Sequence, residues 1–136
     1  MKVLIDSNII VDYLANRKRF YDNAKAIFNL IAKGTIVGYV NTSSVTDIYY
    51  ILRQSLSDME SRKKLKMVLN LLQVIEVTKD DCLTALNSRM SDFEDSLAEI
   101  CAKKVKLNYI VTRDRAFLKR PISISPQKLL AKFKEK

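Results

Sequence analysis

The sequence predicts an α/β chain with a mainly parallel sheet flanked by helices on both faces, and two observations carry that expectation. Short β-rich apolar runs alternate with longer stretches whose apolar residues recur at helical spacing, the pattern of βα units. The first run, Lys2-Val3-Leu4-Ile5, alternates little between apolar and polar, as a strand buried on both faces does. No repeat, low-complexity tract or Pro/Gly linker divides the 136 residues. Residues 1–136 are therefore read as one domain, large enough to bury a proper core.

In chain order, the strand at 2–5 leads into a short helix from Asn8 to Leu14, with Ile9, Ile10, Tyr13 and Leu14 apolar. A second helix is expected from Tyr21 to Ala32, where Ala24, Ile27, Phe28 and Ile31 share a face, and Gly34 ends it. Ile36 to Val40 is the second strand. Asn41 to Ser44 offers N-caps for a helix through Ile48, Ile51 and Leu52. Tyr49 and Tyr50 lie in that apolar run and are read as core. Ser57 or Asp58 opens the next helix, with Leu65, Val68, Leu69 and Leu72 apolar and Arg62, Lys63, Lys64 and Lys66 basic. A third strand spans Val74–Val77, followed by helices at Thr78–Arg89 and Phe93–Val105. Tyr109-Ile110-Val111 is the fourth strand. The segment Asp114–Leu118, a short strand near Ile122 and a final helix from Pro126 complete the chain.

Composition excludes much chemistry. There is no histidine, which removes Ser-His-Asp and Cys-His catalysis, His-ligated zinc and His-based ribonuclease chemistry. The two glycines, Gly34 and Gly38, cannot build a glycine-rich nucleotide loop. Cys82 and Cys101 have no partner motif and read as reduced core residues of a cytoplasmic protein. No apolar run is long enough to span a membrane, and the N-terminus lacks the pattern of a cleavable signal. The net charge of +9 includes +3 from the tail Lys128–Lys136, so the basic balance belongs to the whole chain and favours a polyanionic partner. The basic clusters Arg62-Lys63-Lys64-Lys66, Lys103-Lys104-Lys106 and Lys119-Arg120 read first as solvated surface. Contact of some of them, with Arg113, to the phosphates of a nucleic acid is the second reading.

Four acids stand out against this basic background. Asp6 and Asp114 follow strand-like runs, while Asp47 and Asp95 lie near the starts of helical patterns. In an α/β fold such places converge on the sheet edge where ligands bind. Clustered carboxylates repel unless a cation holds them, and oxygen ligands without sulfur or imidazole select Mg²⁺ or Mn²⁺. Each acid also has a structural account. Asp6 and Asp114 can be helix caps, and Asp92 with Asp95 resembles a capping box. Asp47 has the weakest one, because it sits among Val45, Ile48, Tyr49, Tyr50 and Ile51, where a solvated face is hard to draw.

The segments Met1–Leu14 (MKVLIDSNIIVDYL), Thr46–Leu52 (TDIYYIL), Asp92–Ala102 (DFEDSLAEICA) and Tyr109–Phe117 (YIVTRDRAF) resemble, in order, the motif regions of the PIN domain. The resemblance covers essentially the whole chain. It implies a three-layer α/β/α sandwich with a metal-dependent ribonuclease site. Asp6, Asp47, Asp95 and Asp114 match the family's acidic positions, with Asp47 one methylene shorter than the glutamate common there. Asp92 and Glu94 are further acids beside the third motif. Ser7, Asn8 and Thr112 match polar positions that orient the site. One or two Mg²⁺ or Mn²⁺ ions held by Asp6, Asp95 and Asp114, with Asp47, would act on the phosphodiester bond of an RNA substrate.

Single-domain PIN proteins of this size resemble VapC-type toxins, which implies a homodimer and a small antitoxin as inhibitor. The alternative from another class is a catalytically inactive PIN-fold RNA-binding or scaffold protein, which the Asp47 departure favours. A haloacid-dehalogenase-like phosphatase would want a second aspartate two residues after Asp6, where this chain has Asn8.

Overall fold

The computed structural model describes residues 1–134; Glu135 and Lys136, the end of the basic tail and of the expected domain span, lie outside the described residues. Five strands, β1 (Lys2–Ile5), β2 (Val37–Asn41), β3 (Gln73–Ile75), β4 (Tyr109–Val111) and β5 (Ser123–Ile124), form one parallel sheet in the order β3-β2-β1-β4-β5. The chain winds outward from β1 to β3 and then returns to β4 on the other side of β1. That reversal creates a switch point between β1 and β4, where the carboxyl ends of the strands open a crevice. Asp6 leaves β1 there, its N–H donating to the Val111 carbonyl at 3.0 Å, and Thr112 leaves β4 beside it.

The continuous apolar run of β1 is explained by burial on both faces. Val3 and Ile5 enter one core and Leu4 the other. The first core packs α1 (Ser7–Leu14), α2 (Tyr21–Ala32), α3 (Thr42–Leu52), α4 (Asp58–Leu71) and α7 (Pro126–Ala131). The second packs α6 (Phe93–Lys104), with α5 (Lys79–Leu86) against it. The result is the expected three-layer α/β/α sandwich.

Helix ends follow local chemistry. Gly34 takes φ +80° and lets the Thr35 N–H reach the Leu30 carbonyl at 3.0 Å, closing α2 as expected. The helix expected through Arg89 stops at Leu86 instead. Asn87 caps it, and Ser88 Oγ accepts from the Met90 N–H at 3.1 Å, a local bond that competes with helix continuation. The third strand ends at Ile75 rather than Val77, whose N–H donates to Thr42 Oγ1 at 3.1 Å instead of to a neighbouring strand. Phe117–Lys119 forms a 3-10 turn.

Three readings of side chains are corrected. Tyr50 is 64% exposed rather than core, because α3 buries only Ile48 and Leu52. Tyr49 is half-buried and donates its hydroxyl to Asp58. Cys101 is fully buried, and burial pushes its thiol up to about 11, but Cys82 is only half-buried.

Arg113 is engaged inside the protein rather than free for phosphate. Its Nε and Nη2 donate to the two oxygens of Asp12 at 2.8 and 3.0 Å, and its guanidinium lies 3.8 Å from the centre of the Phe20 ring. Asp12 is 1% exposed. The pair ties the segment after β4 to α1, on either side of the switch point. Removing one partner of such a pair strands the other's charge. Asp12→Ala is expected to lower the unfolding free energy by about 3 kcal/mol. Denaturant unfolding measures this, and a loss below about 1 kcal/mol, the range of surface pairs, would show that the tie is not structural.

Candidate active site

Asp6 occupies the N-cap of α1 with extended backbone (φ −67°, ψ 151°), and its Oδ1 accepts from the Ser7 N–H at 2.9 Å. Its second oxygen accepts from the Thr112 hydroxyl at 2.7 Å. The same hydroxyl accepts from the Asp114 N–H at 3.1 Å. Thr112, fully buried at the end of β4, thus joins the two strand-end acids across the switch point. Asp114 in turn accepts from the Ala116 N–H at 2.9 Å, so it also caps the turn that follows. The cap and site readings of Asp6 and Asp114 are compatible, since each carboxylate leaves acceptor capacity for a ligand.

Asp92 caps α6 by accepting from the Asp95 N–H at 2.9 Å. Only this half of a capping box is present. The reciprocal bond from the Asp95 side chain is absent among the described residues, and its carboxylate is half-buried and without a hydrogen bond.

The cleft brings most of the expected residues together. Asp6, Ser7, Asp47, Glu94 and Asp95 line one cavity of about 250 Å³, and Asp92, Asp95 and Asp114 line its neighbour of about 360 Å³. Asp95 is common to both. Asp47 departs from its sequence reading: it is exposed on α3, at the rim of the cleft, and needs no buried partner. Asn8 lines neither cavity, and its Oδ1 is buried without a partner. Among the described residues no three acidic or thiol groups already converge on one point as a metal cage. Mutual repulsion and the backbone bonds to Asp92 and Asp114 keep the acids spread along the cleft.

Electrostatics mark the same place. Burial pushes the Asp95 carboxyl up to about 7, and Asp92, Asp6, Asp114 and Glu94 add repulsion in that order. Asp6 is raised chiefly by burial, opposed by its bonds from Thr112 and Ser7 and reinforced by Asp114 and Asp92. Glu94 is raised by burial and then by Asp47, Asp92 and Asp6. Strongly perturbed acids grouped in a cleft are the physical signature of a functional site.

The PIN domain family model matches residues 2–116 of the chain, which spans β1, the cleft acids and the turn after β4. The chain belongs to the PIN domain family. It is 23% identical over 128 residues to Ribonuclease VapC1 of Aquifex aeolicus (strain VF5), covering 90% of this chain and 88% of that one. Among solved structures, a chain of VapBC2 from Rickettsia felis, bound to a DNA fragment from its promoter, superposes with a TM-score of 0.70 at 18% identity. That match covers 92% of this chain and 97% of the other. VapC20 of Mycobacterium tuberculosis, a sarcin-ricin loop cleaving toxin, gives 0.71 at 13% identity, covering 88% and 95%.

One PIN-cleft residue escaped the sequence reading. Asn41 ends β2, beside β1, and was counted there only as an N-cap candidate. Its side chain makes no capping bond; its Oδ1 is buried, unpartnered and part of the cleft lining. Its position at the carboxyl end of the strand next to β1 is the signal that could have found it.

The repulsion at Asp95 has a measurable consequence. Its pKa in the folded chain, about 7, lies above the ordinary value of 3.8, so the folded state binds the proton more tightly. The contribution of Asp95 to stability is then full below pH 4 and is lost as pH rises through 7. Asp95→Asn removes that loss. In EDTA the variant is expected to be more stable than the parent at pH 8, by on the order of 1 kcal/mol after solvent screening is allowed for. At pH 4 the gain should vanish, and thermal melts with the same gain at both pH values would contradict the account.

Proposed function

We propose that the chain, as a single domain over residues 1–136, is a Mg²⁺- or Mn²⁺-dependent endoribonuclease of the toxin type that hydrolyses RNA phosphodiester bonds. The observation that carries this is the set of raised carboxyls at the switch point of a basic protein. The Aquifex relative is a ribonuclease and the mycobacterial neighbour a sarcin-ricin loop cleaving toxin, and the proposal extends that class of activity to this chain.

The donor set suits a hard divalent cation. Carboxylate oxygens line the cleft together with the orphaned amide oxygen of Asn41, and no thiolate or imidazole is among the described lining. Asp6, Asp95 and Asp114 would hold the ion, with Asp47 and Asn41 at hand on neighbouring elements. When bound, such an ion neutralises phosphate charge and lowers the pKa of a water. The protein's own residues do the rest. Thr112 fixes the orientation of Asp6 and the backbone of Asp114. Asp95, whose carboxylate makes no hydrogen bond among the described residues, is free to hold the ion or to orient a water beside it. Asp47, exposed at the rim, assists that positioning. Ser7, Asn8, Asp92 and Glu94 shape the local backbone and field.

The neighbours that are toxin–antitoxin assemblies suggest a small antitoxin as partner. The groove between α3 and α4, about 490 Å³ with Tyr49, Tyr50, Leu65 and Leu69 beside Arg62 and Lys66, offers it an apolar floor with a basic rim. A homodimer is part of the same proposal. No described helix is long and apolar enough to cross a membrane.

Purified protein free of any inhibitor should cut members of an RNA pool in Mg²⁺ or Mn²⁺ and stop in EDTA. Cleavage undiminished in EDTA would sink the metal dependence, and binding without cleavage in either ion would favour the inactive alternative. Asp6→Asn, Asp95→Asn and Asp114→Asn should each reduce cleavage by about 100-fold or more while RNA binding persists. Asp47→Asn should be milder. Activity within about threefold of the parent in both Asp6→Asn and Asp95→Asn places the chemistry elsewhere. Sedimentation at micromolar concentration should give twice the 15.6 kDa chain mass, and a monomer throughout the concentration range rejects the dimer.

A further inference from the structure

A cavity beside the acidic cleft plays no part in the chemistry above. It is an open hollow of about 650 Å³ between α5 and α6, a volume within the range of small-ligand sites. Its wall carries three cations, Arg89, Lys103 and Arg120, against the single carboxylate of Glu99, so it is net positive. Glu99 is 4% exposed and already fully engaged. Arg120 donates to it from Nε at 2.9 Å and from Nη2 at 2.7 Å, and Lys103 donates from Nζ at 3.0 Å. That two-pronged pairing fixes the plane of the guanidinium. It uses two of the three nitrogens, and Nη1 makes no hydrogen bond among the described residues.

Arg120 and Met90 also line the cavity of Asp92, Asp95 and Asp114, and Asp95 leads on to the cleft of Asp6 and Asp47. The three cavities are therefore neighbours in a row that passes from acidic to basic. A polyanion crossing the acids is repelled by them everywhere except at a bound cation, so its adjacent phosphates need positive charge just outside. Toward α3 the nearest lining cations, Arg62 and Lys66, lie beyond Tyr50 in the next groove rather than beside the acids. The cavity between is lined by Asp47, Glu94 and Tyr50 and by no cation. On the α5–α6 side a fixed guanidinium stands next to the acids, with Met90 and Ile100 as apolar surface for a base and the Asn87 amide for its polar edge.

We propose that the α5–α6 cavity is the subsite for the RNA nucleotide flanking the cleaved bond, with Arg120, held by Glu99, as its phosphate contact. The proposal rests on the ribonuclease reading above and adds the direction in which the strand leaves the acids. Lys119-Arg120, one of the basic clusters noted in the sequence, thereby divides into a surface lysine and a binding arginine.

The test is fluorescence anisotropy in EDTA over a salt series, with a fluorescein-labelled pool of random single-stranded RNA 12-mers and the full chain. Arg120→Ala should weaken binding about tenfold and reduce the salt slope by about 0.7, the value for one phosphate contact on a single strand. Arg120→Lys, which restores the charge but not the fork, should recover part of the affinity. Asn87→Glu places a carboxylate at the exposed rim without touching the Glu99 pair and should weaken binding as well; it decides alone if Arg120→Ala does not fold. Lys128→Ala, on α7, should leave affinity unchanged.

Dissociation constants within twofold of the parent in Arg120→Ala and Asn87→Glu overturn the subsite, as does an equal loss in Lys128→Ala, which would mean diffuse charge attraction. The two readings fail separately. Cleavage of the pool in Mg²⁺ with affinity indifferent to Arg120 would remove the subsite and keep the ribonuclease. Arg120-dependent binding with no cleavage in Mg²⁺ or Mn²⁺ would remove the ribonuclease and keep the RNA contact. A parent chain that binds no RNA removes both.

Discussion

Carboxylates held close to one another in a partly desolvated cleft repel, and the rest of this structure is arranged around that repulsion. The neighbouring acids raise the proton affinity of Asp6, Glu94 and Asp95 in the combinations described, on top of the larger effect of burial. A chain free to relax would separate them. What prevents it is a set of short tethers at the β1–β4 switch point: the Thr112 hydroxyl shared between Asp6 and Asp114, the N-terminal amides of α1 and α6, and the buried Asp12–Arg113 pair. None of these tethers neutralises the cleft. They fix the places of the acids and leave the charge available to a cation.

The fold was legible because its signals are local. The unalternating Val3-Leu4-Ile5 run and the helical spacing of Ala24, Ile27, Phe28 and Ile31 each report burial directly, and the structure buries all of them. The acids after β1 and β4 were legible for a related reason. In a doubly wound sheet, the residue after a strand is at the ligand-binding edge wherever the strand stands.

What remained hidden depends on which face of an element meets solvent, and that is a tertiary property. Asp47 and Tyr50 sit in an apolar stretch of sequence, yet α3 buries only a narrow stripe, and both point away from the core. Arg113 looked like a phosphate ligand because it adjoins Asp114. Its true partner, Asp12, lies 101 residues earlier, and no local pattern pairs them. The same distance problem conceals Glu99 and Arg120, and it made Asn41 look like a helix cap when its amide oxygen belongs to the cleft.

The charge of +9 can be placed more closely once these pairs are known. Arg113, Arg120, Lys103 and Lys104 are all tied to buried carboxylates, so their contribution to the outer field is smaller than a count suggests. A paired cation is not equivalent to an absent one. Arg113 donates to its carboxylate from Nε and Nη2 and is covered by Phe20, and it has become part of the framework. Arg120 donates from the same two nitrogens, but no aromatic ring covers it among the described residues and it lines two cavities. Two arginines with the same kind of partner thus differ in role through geometry. The one stacked against an aromatic ring holds the acids in place, and the one left uncovered is the one able to meet a phosphate.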